Sequence, residues 1–302
     1  MLTLDTVSKT YRVGTFGGKA IEAVSRVSFD VRPGEVVSLI GESGSGKTTV
    51  GRMVLRLTRA TAGAVTVDGR DVAELGGNDV RTYYGSVQGI FQDPFSSYNP
   101  VFKVDRVLGM IRANYLQGLS DADWKTKVRG SLEAVGLEPA DVLGKYPHQL
   151  SGGQLQRILI ARALMLELRY LVADEIISML DASTRIDVLN LLGDLKARGL
   201  GILFVTHDLS LGNYISDRTV ILRRGRVVEQ GPTAKVFAAP RHSYTRMLLA
   251  CVPQLHRKWE DLPAGSFGPR PIGELDATGL VAVDRDPEGE HLVAPEEWGD
   301  DK

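Results

Sequence analysis

The chain has 302 residues, of which 43% are hydrophobic and 24% charged, a globular composition that excludes a disordered or fibrous protein. Its 36 basic and 37 acidic residues nearly cancel, so no global charge favours binding to nucleic acid or to an anionic membrane. The single cysteine, Cys251, excludes an internal disulfide and a cysteine-ligated metal cluster, and it fits a reducing cytosol.

Short aliphatic runs predict strands, several of them buried and parallel, at residues 36–40, 65–67, 170–173, 202–205 and 220–222. Helical periodicity predicts helices at residues 48–57, 150–166 and 183–197. This alternation is typical of a doubly wound α/β layer. Residues 104–136 are helical in pattern with little strand signal, which predicts a helical insert. From Pro253 onward Pro and Gly are frequent and periodicity fades, which predicts a small irregular extension.

A phosphate-binding loop follows the first buried strand. Two glycines flank four residues and are followed by Lys-Thr, in the strand-to-helix context that this pattern requires. Backbone N–H groups and the positive end of the helix can surround phosphates, while Lys47 adds a charge and Thr48 offers a hydroxyl to Mg²⁺. The candidate nucleotide-binding residues of this loop are Gly41, Ser43, Gly44, Ser45, Gly46, Lys47, Thr48 and Thr49.

Two adjacent carboxylates end the predicted strand at residues 170–173. Asp174 is suited to orient Mg²⁺, and Glu175 can take a proton from an attacking water. An acidic pair after a strand is by itself more often a helix cap or a solvated turn, and only its pairing with the phosphate loop favours catalysis.

A third motif lies directly after Leu150, in the first turn of the helix predicted at residues 150–166. It reads Ser151, Gly152, Gly153 and Gln154. Ser and Gly N–H groups at a helix start can face a phosphate. The motif resembles the signature of ATP-binding-cassette (ABC) ATPases. The resemblance implies that it contacts the γ-phosphate of an ATP held by an opposite subunit.

Four further positions match this family in order, within about residues 1–250. Tyr11 resembles the aromatic residue that stacks on adenine, although packing within a first hairpin is an equal alternative. Gln92 resembles the glutamine that senses Mg²⁺ and the attacking water. Asp181 lies in a segment similar to the loop that crosses the dimer interface, and His207 resembles the switch histidine that contacts the γ-phosphate.

The resemblance implies an α/β fold with a RecA-like P-loop NTPase core, an antiparallel β-subdomain and an inserted helical subdomain at about residues 93–165. The ATPase domain is expected over residues 1–250 and a C-terminal extension over residues 251–302. Truncating the tail beyond about Pro263 is expected to spare nucleotide binding, because the phosphate motifs end by His207. One departure is the pair Ile176 and Ile177, where the family usually has proline after the Asp-Glu pair. Without the proline ring, a looser Glu175 or a shift of the following loop is expected, while the catalytic groups are all kept.

Two segments indicate the branch of the family. Residues 91–100 and 240–245 resemble the ATPases of oligopeptide and dipeptide importers, a group that also carries nickel and oligosaccharides. Residues 178–183 look more like its sugar-handling members, so the cargo stays open among peptides, oligosaccharides and metals. The peptide branch often has a cysteine cluster in the tail, which the single cysteine excludes here.

The resemblance implies an ATPase that uses ATP and Mg²⁺ to drive import. Its expected partners are a second, different ABC ATPase subunit, two transmembrane permease subunits and an extracytoplasmic solute-binding protein, with no nucleic acid. No run approaches the roughly 18 apolar residues of a spanning helix, and the N-terminus lacks a leader pattern, so a peripheral position on the cytoplasmic side of the cell membrane is expected. The alternatives are a non-transport ABC ATPase of DNA repair or translation, and a binding module that does not hydrolyse ATP.

Overall fold

The computed structural model describes residues 1–14, 18–252, 280–286 and 289–295. The ten α-helices of these ranges are α1 Lys47–Val54, α2 Gly77–Ser86, α3 Asp105–Tyr115, α4 Asp121–Glu133, α5 Pro139–Val142, α6 Gly152–Leu164, α7 Ala182–Ala197, α8 Leu209–Ile215, α9 Thr233–Ala238 and α10 Ser243–Ala250. The twelve strands are β1 Leu2–Val13, β2 Lys19–Val31, β3 Val36–Ile40, β4 Ala62–Val67, β5 Arg70–Asp71, β6 Val87–Ile90, β7 Tyr170–Asp174, β8 Gly201–Thr206, β9 Arg218–Arg223, β10 Arg226–Pro232, β11 Val281–Asp286 and β12 Gly289–Val293.

The chain divides into two compact units, one formed by residues 1–74 and 203–302 and the other by residues 75–202. In the first unit, four strands form a sheet in the order β2-β1-β4-β5, and its pairs are antiparallel. Leu2, Leu4 and Val7 of β1 turn their side chains into the core. Alternation of buried and exposed positions explains why this sheet covers the core with one face.

The second sheet of the first unit has the order β11-β12-β10-β9-β3, with the part of β8 from Leu203 beside β3. Strands β3 and β9 are parallel, and every residue of β3 is buried. A continuous apolar strand of this kind is typical of a sheet covered on both faces. The parallel pairing places the end of β3, where the phosphate loop begins, next to the end of β9.

The second unit holds a parallel pair of strands, β6 and β7, and the helices α2 to α7. Two short 3₁₀ helices, Phe95–Ser97 and Pro147–Gln149, lie before α3 and before α6. Helices α3 and α4 cover most of the segment for which the sequence predicts a helical insert, and both pack against α6. The exact bounds of the ATPase domain and of its helical subdomain stay predictions.

The C-terminal extension is only partly within the described ranges, since residues 253–279, 287–288 and 296–302 lie outside them. The part that is described is not irregular: β11 and β12 form an antiparallel pair, and β12 continues the sheet through β10. Both strands are short and follow a Pro- and Gly-rich stretch, so the periodicity of the sequence does not predict them. In the described part of the chain, none of the helices has the length and apolar character needed to cross a membrane.

Three buried hydroxyls of the first unit connect β3, β9 and the start of α9. Thr219 Oγ1 lies 2.9 Å from Ser38 Oγ and 2.9 Å from Thr233 Oγ1, and its side chain is fully buried. Because water does not reach these three hydroxyls, each depends on its neighbour for a hydrogen bond.

Thr219→Val is expected to lower the free energy of unfolding by about 1–3 kcal/mol, since it keeps the side-chain shape but leaves two buried hydroxyls poorly satisfied. Urea denaturation measures this as a shift of the midpoint. The matched control is Thr82→Val on the exposed face of α2, which should change stability by less than about 0.5 kcal/mol. Equal effects of the two variants would contradict the proposed role of the hydroxyl chain.

Candidate nucleotide site

The phosphate loop of the first unit connects β3 to α1, and two of its glycines are required by space. A Cβ at Gly41 would lie 2.2 Å from the carbonyl oxygen of Leu222. A Cβ at Gly46 would lie 2.5 Å from the carbonyl oxygen of Ala23, and Gly46 also has a φ of 106°. Other side chains cannot occupy such positions without moving backbone. The loop is therefore packed tightly against strands β9 and β2.

Lys47 is positioned by the loop itself. Its ammonium group donates to the carbonyl oxygens of Gly41, at 2.7 Å, and Glu42, at 2.8 Å, and only 4% of the residue is exposed. Ser43, Gly44 and Thr48 are exposed, so this side of the loop is open to a ligand. The arrangement offers one buried cation, an accessible hydroxyl and a helix N-terminus, which together fit a chain of phosphates with its metal ion.

The hydroxyl of Ser45 is a buried polar atom with no hydrogen-bond partner among the described residues. The backbone of the same residue is tied down, because Ser45 O accepts a 2.8 Å hydrogen bond from Gly225 N. Buried polar atoms are normally hydrogen-bonded, so a ligand bound in the loop would supply the partner that this hydroxyl lacks.

His207 and Tyr11 are the other candidate residues of the first unit. His207 is exposed in the turn from β8 to α8, and the next residue, Asp208, fixes that turn by accepting hydrogen bonds from Ser210 N and Leu211 N. Tyr11 lies on β1, and the Lys9 ammonium is 5.1 Å from the centre of its ring. The Tyr11 side chain is partly buried, with this cation near its ring. Its stacking on adenine stays a prediction.

In the second unit, β7 carries Asp174 to its end and Glu175 follows in a tight turn. Asp174 is 5% exposed, and Glu175 has a φ of 51°. Ser178 donates both its N–H, at 3.1 Å, and its hydroxyl, at 2.8 Å, to the carbonyl oxygen of Glu175. A left-handed conformation at a residue with a large side chain costs of order 1–3 kcal/mol and persists only where the surroundings impose it.

The pair that replaces proline contributes to this constraint. Ile176 is 1% exposed and Ile177 is 2% exposed, so both side chains are anchored in the core of the second unit. Burial of two isoleucines stabilises by roughly 1.5–3 kcal/mol each, which is enough to offset the strain at Glu175. The isoleucines therefore hold the turn by packing, where proline would hold it by its ring.

The signature motif begins α6 with a reciprocal cap. Ser151 Oγ accepts from Gln154 N at 3.2 Å, and Gln154 Oε1 accepts from Ser151 N at 2.9 Å. A Cβ at Gly153 would lie 2.9 Å from Cγ2 of Thr184, so the glycine lets the start of α7 approach α6. Gly152 has open space except for the Phe95 ring at 3.9 Å.

Asp181 caps α7 in the same region. Its carboxylate accepts hydrogen bonds from Ser183 Oγ, Thr184 N and Thr184 Oγ1, at 2.6, 3.0 and 2.8 Å. These bonds, that from Ser183 first, hold the pKa of Asp181 far below its usual value. Because this pKa is depressed on folding, the cap is present above about pH 4 and is lost only in strong acid. If Asp181 contacts nucleotide as predicted, the same carboxylate oxygens must accept the cap hydrogen bonds and also face the nucleotide.

Gln92 is exposed two residues after β6, at the start of a segment that leads to the signature helix. Further along this segment Tyr98 is buried, and its hydroxyl donates to Leu155 O in α6 at 2.8 Å. Burial raises the pKa of Tyr98, so the phenol stays protonated and able to donate. The second unit thus brings the segment after Gln92, the signature and the start of α7 together.

Residues 24–178 match the family model described as "ABC transporter". The chain belongs to the ABC transporter family. As a member, it is an ATPase, and the predicted RecA-like P-loop fold is confirmed. Residues 228–270 of this ABC ATPase match a second model, "Oligopeptide/dipeptide transporter, C-terminal region".

Relatives agree with both assignments. An ATP-binding protein of Brucella ovis whose name assigns it to peptide import is 44% identical over 255 residues, which are 84% of this chain and 78% of the relative. Oligopeptide transport ATP-binding protein OppF of Streptococcus mutans is 40% identical over 84% of this chain and 82% of its own length. Among solved structures, the dimeric, post-hydrolysis ATP-binding cassette MJ0796 bound to ADP and Pi has a TM-score of 0.69 and 28% identity, covering 77% of this chain and 99% of its own.

Lys47→Ala is expected to weaken binding of Mg·ATP roughly 10- to 100-fold, because it removes charge-assisted hydrogen bonds of about 1.5–3 kcal/mol from a site otherwise built of dipoles. Titration calorimetry on the purified chain measures the change in Kd. Lys19→Ala, at an exposed position of β2, serves as the control and should bind as the parent does. An unchanged Kd for a folded Lys47→Ala protein would remove the phosphate-loop assignment.

Proposed function

We propose that this ABC ATPase is the ATP-hydrolysing subunit that powers an importer of oligopeptides. The observation that carries the proposal is that each unit of the chain begins a helix with a glycine-rich motif suited to phosphate, α1 after the phosphate loop and α6 after the signature. The names of the relatives, peptide import and oligopeptide transport, support the direction of transport and the cargo. Neither relative supports the alternative of a non-transport ATPase.

The residues are proposed to divide the work as follows. Lys47 and the loop N–H groups bind the β- and γ-phosphates, Tyr11 packs on the adenine, and Thr48, Asp174 and Gln92 hold Mg²⁺. The metal ion supplies positive charge that neutralises the phosphate oxygens. Glu175 accepts the proton of the attacking water, and His207 donates to the γ-phosphate.

A second cassette is proposed to complete the site. Ser151, Gly152, Gly153 and Gln154 are taken to face the phosphates held by a partner, whose own signature faces the loop of this chain. The partner is proposed to be a different chain, and Asp181 to lie at the contact of the two. The MJ0796 cassette, which was solved as a dimer with ADP and Pi, is a similar protein in such a state.

Importer ATP-binding subunits work with membrane permease subunits. We propose that the segment after Gln92 makes this contact. Phe95 is 49% exposed, Val101 73% and Phe102 39%, so this short stretch presents three large apolar side chains. Isolated exposed apolar residues are normal, whereas several in one segment indicate an interaction surface. Such binding would hold the subunit on the cytoplasmic face of the membrane, opposite an extracytoplasmic solute-binding protein.

Glu175→Gln is expected to lower ATP turnover at this site by roughly 10²–10⁴-fold while Mg·ATP still binds, because the amide keeps the size of the side chain but cannot accept a proton. Single-turnover hydrolysis and nucleotide binding are measured on the assembled complex. Glu133→Gln, an exposed position of α4, is the isosteric control and should hydrolyse ATP normally.

The partner cassette needs its own control in this experiment. Mutating the equivalent carboxylate of the partner alone should leave turnover at Glu175. If that variant is inactive and Glu175→Gln is fully active, the partner supplies all the turnover and the site of this chain is degenerate.

The proposed cargo is tested with the complex reconstituted in vesicles. ATP hydrolysis by the wild-type complex is expected to rise when the cognate solute-binding protein is added with an oligopeptide mixture, and uptake of labelled peptide should follow. Stimulation by oligosaccharides or nickel and not by peptides would contradict the proposed cargo. The same vesicles with the Glu175→Gln subunit report uptake that does not depend on hydrolysis.

A further inference from the structure

Glu229, on β10, is a fully buried carboxylate with several partners. Its Oε1 lies 2.6 Å from His291 Nε2 and accepts from Arg241 N at 2.8 Å, while Oε2 accepts from His242 N at 3.1 Å. Both Glu229 and His291 are almost fully excluded from solvent. A buried carboxylate is tolerated only with such a set of partners, so Glu229 depends on two separate segments, residues 241–242 and His291 of β12.

The donors from residues 241 and 242 set the start of α10. His242 continues the arrangement by capping the helix, because its Nδ1 accepts from Tyr244 N at 3.1 Å. Glu229 and His242 therefore fix the first turn of α10, and with it the direction of the Tyr244 side chain.

Tyr244 reaches the phosphate loop. Its hydroxyl oxygen accepts a 3.2 Å hydrogen bond from the backbone N–H of Glu42, the second residue of the loop, and its ring packs with Arg223 at 4.9 Å. Tyr244 is 2% exposed. Burial, and the nearby Glu42 carboxylate, raise the pKa of the phenol above its ordinary value, so it stays protonated at neutral pH. The ring also belongs to the buried cluster that contains Ile40, the last residue of β3 before the loop.

The C-terminal strand closes this arrangement from the other side. In β12, Val293 pairs with Glu229 and Leu292 with Gln230 of β10. Val293 is fully buried, and Ala294 N donates to Val228 O at 2.7 Å and packs on the cluster that holds Tyr244. His291 extends from the same strand to Glu229. The connection thus runs from β12 through Glu229 and α10 to the loop, within the first unit.

We propose that Tyr244 is a positioning residue for the phosphate loop and that strand β12 holds Tyr244 in place through Glu229. The N–H of Glu42 lies at the start of the loop, and an acceptor there restrains the loop before the nucleotide arrives. A loop held in its binding conformation pays less ordering entropy when phosphates bind. The proposal rests on nucleotide binding at the loop and makes the affinity depend on a C-terminal segment that the sequence alone treats as dispensable.

Tyr244→Phe tests the first part, because it removes only the hydroxyl. The loss of one hydrogen bond to the loop should raise the Kd for Mg·ATP and Mg·ADP about 3- to 10-fold in the full-length chain. Tyr214→Phe, which removes a phenol hydroxyl from an exposed position of α8, is the matched control and should bind as the parent does. A Kd for Tyr244→Phe equal to that of the parent overturns the positioning role.

Thermal unfolding separates positioning from general stability. If Tyr244 positions the loop, the melting temperature of the nucleotide-free protein changes little in Tyr244→Phe. The rise in melting temperature that a fixed, subsaturating concentration of Mg·ADP causes is smaller in the variant than in the parent. A large loss of stability without nucleotide, together with normal affinity in the folded fraction, would instead indicate packing alone. Failure of the parent chain to bind nucleotide at all would defeat the proposed function and is thus distinct from failure of this inference.

A double-mutant cycle tests the second part. His291→Gln removes the imidazole but keeps a donor, and His291→Leu removes both; each should weaken nucleotide binding, the leucine variant more. Because both act through Tyr244, adding either to Tyr244→Phe should cost less than the sum of the single effects. Additive effects, or unchanged affinity in both His291 variants, overturn the role of β12. The glutamine variant keeps the test usable if His291→Leu does not fold.

Discussion

Backbone hydrogen bonds around Gly225 hold the phosphate-loop end of the first unit together. Gly225 N donates to Ser45 O in the phosphate loop, and Gly225 O accepts from Ser25 N in β2, each at 2.8 Å. The turn between β9 and β10 thus links the loop to the antiparallel sheet. Side chains would disrupt this contact, since a Cβ at Gly225 would lie 2.8 Å from Ala23 O and Gly46 faces the same carbonyl. The position of Lys47 and the direction of α1 follow from this packing of backbone on backbone.

In the second unit, side-chain contacts hold the start of α6 in place. Its signature is fixed by a reciprocal cap at Ser151, by the close approach of Gly153 to Thr184, and by an ion pair at 2.8 Å between Arg157 of α6 and Asp187 of α7. The ion pair is partly exposed and contributes little on its own, about 0–1 kcal/mol. The cap and the packing therefore determine how α6 presents its first N–H groups, and Tyr98 ties the segment after Gln92 to the same helix.

At Glu175, the candidate base, a strained backbone conformation is held in place by the residues that follow it. Glu175 adopts a left-handed conformation, while Ile176 and Ile177 fill the core beneath it and Ser178 binds its carbonyl oxygen. The departure from the proline of the family thus replaces a stiff ring with two buried side chains. The turn is therefore constrained by packing, in contrast to the loosening that the sequence suggests.

The sequence by itself determined the fold class and the phosphate loop, because the buried strand at residues 36–40, the glycine spacing and Lys-Thr at the helix start are local signals. It also located β7, α6 and α7 within a few residues. Tertiary structure decided what local patterns do not contain: that Gly41 and Gly46 face carbonyls of distant strands, and that Tyr244 reaches Glu42. Strand β12 was missed for the same reason, since its pairing with β10 and the bond from His291 to Glu229 join residues about sixty positions apart. Such contacts depend on which surfaces the folded chain brings together, and a pattern of periodicity and spacing carries no record of them.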